Sequence, residues 1–206
     1  EELDRLLAHL AEFTDTLRGI LVVDLGAQYA QLIARRVREA GSWCEIAPPA
    51  RALETARRMD LGGVILSGGP ASVYAADAPE VPRGLLELGV PVLGICYGQQ
   101  WMVQALGGAV TPADAREFGR ASIAVRRSEH LFEGIDGHTV VWMSHGDQVE
   151  ALPPGFDTFA SSRTCPFAAG GAPARGVWGA GSDPAVPQTV RARELPASYV
   201  QALERN

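Results

Sequence analysis

Short, nearly continuous apolar runs alternate with stretches of helical period through the first half of the chain. Ile20 to Val23, Val64 to Leu66 and Val90 to Ile95 show no polar alternation, which predicts strands covered on both faces and hence a largely parallel sheet. Between the first two, Leu32, Ile33, Val37 and Ala40 recur at helical spacing across Gln28 to Ala40, a helix that Gly41 ends. Trp43 to Ala47 reads as a further strand and Ala52 to Met59 as a further helix. This βαβαβ succession predicts an α/β fold: a doubly wound, largely parallel sheet flanked by helices in three layers, with sites at the carboxyl ends of strands.

Outside that stretch the pattern weakens. Leu3, Leu6, Leu7, Leu10 and Phe13 fall on one helical face, so residues 1–19 read as an amphipathic N-terminal extension that breaks at Thr14-Asp15-Thr16. Ala121 to Val125, Thr139 to Met143 and Asp157 to Ala160 are candidate strands, arranged as antiparallel hairpins beside the main sheet. Gly170 to Pro187 is mostly Gly, Ala and Pro, with Val177, Trp178 and Val186 as its only larger apolar residues, and no element is predicted there. The folded unit is therefore set at 20–169, with 170–206 a divergent, poorly patterned segment lying loosely over a sheet edge. Pro196 to Arg205 would form a short helix started by proline.

Composition narrows the class. At 206 residues and 21.9 kDa the chain suits one domain with additions. Its 18 basic residues, all Arg, are outweighed by 24 acidic ones, net −6, without a basic cluster, which argues against nucleic acid as a partner. With 47% hydrophobic and 20% charged residues, a chain of this length should bury about 70% of its unfolded surface. No apolar run approaches the roughly 20 residues that span a bilayer, and the acidic opening Glu1, Glu2, Asp4 lacks a signal-peptide pattern. The expectation is a cytoplasmic protein with no membrane partner. Cys44, Cys96 and Cys165 are odd in number and widely spaced, which suits neither a disulfide framework nor a zinc site, and no metal is expected. The Arg-only basic set, with heavy use of Ala, Gly and Pro, reflects GC-rich codons.

The sharpest chemical feature is Val92-Leu93-Gly94-Ile95-Cys96-Tyr97-Gly98-Gln99-Gln100, an apolar strand running into Gly-x-Cys-x-Gly and then a helix. Flanking glycines permit the sharp strand-to-helix turn that lifts a nucleophile above a sheet. At a helix N-terminus the dipole and exposed amides favour the thiolate, which is the reactive form. A second glycine loop, Ser67-Gly68-Gly69-Pro70, also follows an apolar strand. Set at neighbouring strand ends, the two loops would let amides of Gly69 and Tyr97 hold an oxyanion jointly; a plain βα turn or a phosphate cradle are the other readings of this loop. In Trp142-Met143-Ser144-His145-Gly146-Asp147-Gln148, His145 at a strand end suits a base, a substrate contact or a structural hydrogen bond.

Four segments in this order carry a family resemblance: Asp24-Leu25-Gly26-Ala27-Gln28-Tyr29, Ser67 to Pro70, Gly94 to Gln100, and Met143 to Asp147. Together they resemble the glutaminase domain of GMP synthetases, within the class I glutamine amidotransferases. Tyr97 after the cysteine is similar to that branch rather than to the anthranilate or carbamoyl-phosphate members, where Leu commonly follows. The likeness covers about residues 20–169, including Glu117-Phe118-Gly119 and Cys165-Pro166-Phe167-Ala168-Ala169. It implies that Cys96 attacks the carboxamide of glutamine to give a thioester and ammonia, with Gly69 and Tyr97 as the oxyanion hole. Gln100, Ser144, His145 and Gly146 would line the glutamine pocket. The implied partner is an ATP-pyrophosphatase (synthetase) domain or subunit that aminates XMP to GMP. ATP and magnesium are expected there, and no cofactor on the glutaminase part.

One departure from the family stands out. Its members carry Phe-His-Pro-Glu after a Gly-Val strand, supplying the general base and its orienting carboxylate. Here Gly176-Val177 leads into Trp178-Gly179-Ala180-Gly181-Ser182-Asp183, and no histidine follows His145. Losing one triad member typically costs roughly four to six powers of ten in turnover, so little or no glutaminase activity is expected. A shifted reading frame past residue 169, a non-catalytic glutamine-binding module, or substitution of the base by His145, Asp183 or Glu194 would each account for this. A thiol hydrolase of the α/β-hydrolase type also needs a late His.

Overall fold

A computed structural model describes residues 18–26, 29–132, 135 and 137–181; of residues 113–118, 130, 144 and 145 it describes the main chain only. Its elements run β1 (Gly19–Val23), α1 (Ala30–Glu39), β2 (Cys44–Ala47), α2 (Pro49–Arg58), β3 (Leu61–Leu66), β4 (Val92–Ile95), α3 (Tyr97–Ala105), β5 (Ala109–Val125), β6 (His138–Ala151), β7 (Asp157–Ser161), β8 (Ala169–Ala172) and β9 (Val177–Ala180). The helices predicted at 3–13 and 196–205 lie outside the described residues.

All nine strands form one sheet in the order β2-β1-β3-β4-β9-β8-β7-β5-β6. Parallel pairings join β2, β1, β3, β4 and β9. Antiparallel pairings join β9, β8, β7, β5 and β6. The predicted three-layer α/β architecture is therefore observed, with a long antiparallel flank.

The apolar runs are continuous because both faces of the parallel half are covered. On β1, Ile20 and Val22 pack with Ile33, Ala34 and Val37 of α1, whereas Leu21 and Val23 share a cluster with Ala52 and Ala56 of α2. Each fully buried Val, Leu or Ile contributes about 1.5–3 kcal/mol relative to exposure. Helix α1 closes where Gly41 takes φ +96°; its amide donates to Arg38 O at 3.0 Å, and Ser42 donates to Val37 O at 3.2 Å. Helix α2 begins on Pro49, whose missing N–H costs nothing in a first turn.

The predicted strands after residue 108 are segments of longer ones. Ala121–Val125 and Thr139–Met143 belong to the β5–β6 hairpin, whose register slips between Pro112 and Glu117. Four residues on β5 there, 113–116, lie opposite one on β6, Gly146, since Pro112 pairs with Asp147 and Glu117 with His145. Such extra residues bend a ladder and conceal its length from a reading of period two.

The expectation for residues 170–181 is overturned. Instead of a loose tail over an edge, they supply β8 and β9, with β9 in the middle of the sheet between β4 and β8. Strand β8 starts at residue 169 and so crosses the predicted 169/170 boundary. Every residue of both strands is buried. Their sequences, Ala-Gly-Gly-Ala and Val-Trp-Gly-Ala, are small because the space is taken: a Cβ on Gly171 would fall 2.7 Å from Val177 O and 2.9 Å from Trp178 Cδ1. Strands built of Ala and Gly carry no hydrophobic alternation to read.

Candidate active site

Strand β4 runs directly into Cys96, which takes φ +49°, ψ −109°, the only positive φ outside glycine among the described residues. Backbone of this kind costs on the order of 1–3 kcal/mol and persists only where its surroundings enforce it. Here they do. The Cys96 amide donates to Ala180 O at 2.8 Å, and Cys96 O accepts from the Gln100 amide at 3.1 Å.

Both flanking glycines are sterically obligatory. A Cβ on Gly94 would lie 2.6 Å from main-chain atoms of Gly98 and Gln99, because the helix folds back over the strand. A Cβ on Gly98 would lie 2.4 Å from Leu66 O. Gly-x-Cys-x-Gly is thus the spacing at which a helix can pack onto its own strand and that strand's neighbour.

The two glycine loops meet. Parallel pairing sets Leu66 beside Gly94, so Ser67 to Pro70 leaves β3 next to the point where Cys96 leaves β4. The Gly98 amide donates to Ser67 O at 3.1 Å, and the position a Gly69 Cβ would take is 3.5 Å from Tyr97 Cγ. That same position is 2.5 Å from Leu25 O. A carbonyl oxygen against this face of Gly69 does not suit a phosphate cradle. Ser67, fully buried, accepts from the Leu25 amide at 2.9 Å and donates to Gly68 O at 2.8 Å. The end of β1 is thereby tied to the same loop.

Cys96 is 8% exposed, and its Sγ donates to Gly181 O at 3.4 Å. As the first residue of α3, Tyr97 has an amide without an intrahelical acceptor, and no acidic side chain occupies the first turn. The local field there favours a negative oxygen. Burial pushes the Tyr97 phenol above its usual value, so it stays neutral.

The remaining predicted residues gather nearby. Gln100, buried, donates from Nε2 to Asp147 O at 2.8 Å, which links α3 to the segment just after Gly146. Gly146 is exposed. Ser144 and His145 are placed by main chain alone, opposite Phe118 and Glu117. His145 thus lies inside β6, where a strand end was predicted.

Two residues of this neighbourhood escaped the sequence reading. Gln99 is 2% exposed and donates to Phe167 O at 3.3 Å. Asp147 is 9% exposed, and among the described residues its Oδ2 has no hydrogen-bond partner. A buried carboxylate oxygen without a partner is costly, which makes Oδ2 open to a donor or a cation. Asp147 stands between Gly146 and Gln148, and Gln99 between Gly98 and Gln100, so neither carried a sequence signal of its burial. Among the described residues, no group of three His, Cys, Asp or Glu side chains is placed to hold a metal ion, and no helix is long and apolar enough to cross a membrane.

Residues 21–173 match the family model for glutamine amidotransferase class-I. The chain is 46% identical over 181 residues to the GMP synthase [glutamine-hydrolyzing] of Caldanaerobacter subterraneus subsp. tengcongensis, covering 88% of this chain and 35% of that protein. It is 52% identical over 155 residues to the GMP synthase [glutamine-hydrolyzing] of Wolinella succinogenes, covering 73% and 30%. The chain therefore spans about a third of the length of these curated relatives. A crystal structure from Thermoplasma acidophilum, of a protein proposed to be one subunit of a GMP synthase, superposes with a TM-score of 0.81 at 27% identity, covering 92% of this chain and 95% of that one. A glutamine amidotransferase from Thermotoga maritima superposes with a TM-score of 0.64 at 20% identity, over 91% and 84%, a likeness of fold.

Proposed function

The chain belongs to the class-I glutamine amidotransferase family, and from that premise we propose that it is the glutaminase part of a GMP-forming enzyme, binding glutamine at Cys96 with little turnover of its own. The observation that carries this reading is Cys96 at φ +49° between two obligatory glycines, beside the Ser67 to Pro70 loop.

In this reading the glutamine carboxamide lies against the Cys96 sulfur with its oxygen toward the amides of Gly69 and Tyr97. Attack would form a C–S bond and place the oxygen's negative charge on those two donors. Gln100 and the main chain of Ser144 to Gly146 would frame the rest of the substrate. The Asp147 carboxylate, whose Oδ2 has no hydrogen-bond partner among the described residues, complements the α-ammonium of glutamine.

Collapse to the thioester requires a proton on the departing nitrogen, so that it leaves as ammonia rather than as the amide ion, a very poor leaving group. The family's donor follows its Gly-Val strand, and β9 is that strand here. Ala180, whose carbonyl accepts the Cys96 amide, packs in one cluster with Cys96 and carries no titratable group. That is the physical reason for slow turnover. Translating the other two frames of the encoding DNA past residue 169 tests for a shifted frame; a Phe-His-Pro-Glu string there identifies one.

The partner in this reading is a synthetase domain or subunit that carries the ATP and magnesium sites and consumes the ammonia. The relatives' extra length has room for it.

Incubation with a glutamine-like electrophile tests the site directly. Expected is labelling of Cys96 that glutamine blocks, with no labelling in Cys96→Ala. Labelling indifferent to glutamine would sink the reading. Turnover within tenfold of an intact homologous domain would overturn the slow-turnover part. Expected too is a gain of at least about a hundredfold in ammonia release for Ala180→His.

A further inference from the structure

A closed ring of contacts surrounds the sulfur. Cys96 Sγ donates to Gly181 O at 3.4 Å. The Gly181 amide donates to Ala168 O at 2.8 Å. One residue earlier, Phe167 O accepts from Gln99 Nε2 at 3.3 Å. Gln99 stands on the first turn of α3, three residues after Cys96, and completes the ring.

Gln99 also fills a place that β9 leaves open. A Cβ on Gly179 would lie 2.5 Å from Gln99 Cγ, so the aliphatic part of Gln99 packs over the bare strand. Filling that space calls only for a chain of this length, which Met supplies without a polar end. A carboxamide at 2% exposure is costly unless hydrogen-bonded, so its presence points to the bond with Phe167 O.

We propose that Gln99 is a positioning residue for Cys96: through Phe167 and Ala168 it holds Gly181 where that carbonyl accepts the thiol proton. The proposal rests on, and deepens, the glutaminase reading, because it concerns the regulation of the same sulfur. A hydrogen bond from S–H to a carbonyl favours the neutral thiol, whereas the thiolate is the nucleophile. The ring therefore keeps the sulfur aimed and restrained.

The test uses the full chain, with Gln99→Met, which keeps the length and removes the donor, and Gln99→His, which returns an N–H at similar reach. Two readouts are taken: the Raman S–H stretching band of Cys96, assigned by difference against Cys96→Ser, and the iodoacetamide alkylation rate of the Cys96 peptide by mass spectrometry. Expected is a wild-type band at the lowered frequency of a hydrogen-bonded thiol. In Gln99→Met the band moves up from its wild-type frequency and alkylation speeds up about three- to tenfold, and Gln99→His reverses both. A wild-type band at the free-thiol frequency overturns the proposal whether or not any variant folds. So does a Met variant that alkylates no faster than wild type, or one that melts lower with its band unmoved. Failure of the glutaminase reading shows separately, as glutamine that does not protect Cys96 in wild type.

Discussion

The two halves of the sheet reach burial by opposite means. In the parallel half, β1, β3 and β4 are filled mainly by Ile, Leu and Val, and Gly94, next to last in β4, stands where the main chain of Gly98 and Gln99 comes close. Where the sheet turns antiparallel, at β9 and β8, the side chains of Leu152, Trp178 and Gln99 crowd the positions that a Cβ would take on Gly170, Gly171 and Gly179. A glycine near Cys96 therefore serves the turn, while one in β8 or β9 serves a neighbour's bulk.

Substitutions that add one methyl group separate these two uses. The largest effect is expected for Gly98→Ala, whose Cβ would lie 2.4 Å from Leu66 O, a main-chain atom in a packed strand. A loss of about 3 kcal/mol or more is expected in urea denaturation, with Cys96 labelling abolished. Gly179→Ala meets side-chain rather than main-chain atoms, Gln99 Cγ at 2.5 Å, so a smaller loss of about 1–2 kcal/mol is expected, the Gln99 side chain having to shift. Equal losses at the two sites would erase the contrast.

Asp147→Asn carries the comparison to the site. Glutamine affinity should fall about tenfold in calorimetry, near 1.4 kcal/mol, while stability holds or rises because Asn removes a buried carboxylate oxygen that has no partner among the described residues. A loss of stability with unchanged affinity would reassign Asp147 to the fold.

A smaller effect is expected at Arg127, which pairs with Glu129 and Asp157 at 2.5 Å each and stacks 5.4 Å from the Phe159 ring centroid. These charges are well exposed, so Arg127→Ala should cost less than about 1 kcal/mol, and less still at high salt.

The smallest effect is a pH dependence. Burial pushes the Cys44 thiol above its ordinary 9.0, against a pull from Arg38, and burial also raises the Tyr97 phenol above 10.0. Below those values both groups are neutral folded or unfolded, so they leave stability level. Above them the unfolded chain ionises first, and stability should decline as pH rises through the folded values. Urea midpoints from about pH 8 to pH 10.5 measure this, and Cys44→Ala should flatten part of the decline.

Much of the parallel half was legible because its local and tertiary requirements coincide. Ile20 to Val23 is apolar at every position since both faces are covered, and Gly94 and Gly98 stand at the only spacing that lets α3 lie back on β3 and β4. The antiparallel half was legible only in part. Asp157 to Ala160 has enough bulk to read as a strand, whereas Ala169 to Ala172 does not. The irregular register at Pro112 hid that His145 sits within a long strand, and the burial of Asp147 and Gln99, with the bond from Gln99 to Phe167 O, comes from contacts between distant segments.

From its order of residues alone, this chain determined a thiol on a tight strand-to-helix turn, because the main chain of Gly98 and Gln99, a few positions on, leaves no room for a Cβ on Gly94, whereas the second glycine answers to Leu66 on the neighbouring strand. Which strand would lie against the turn was decided by the folded whole. Val177 to Ala180 became a central strand since β4 offered an unpaired edge and Trp178 needed a place inside, and both are relations between segments more than 80 residues apart, as the Cys96 to Gly181 bond shows with its separation of 85.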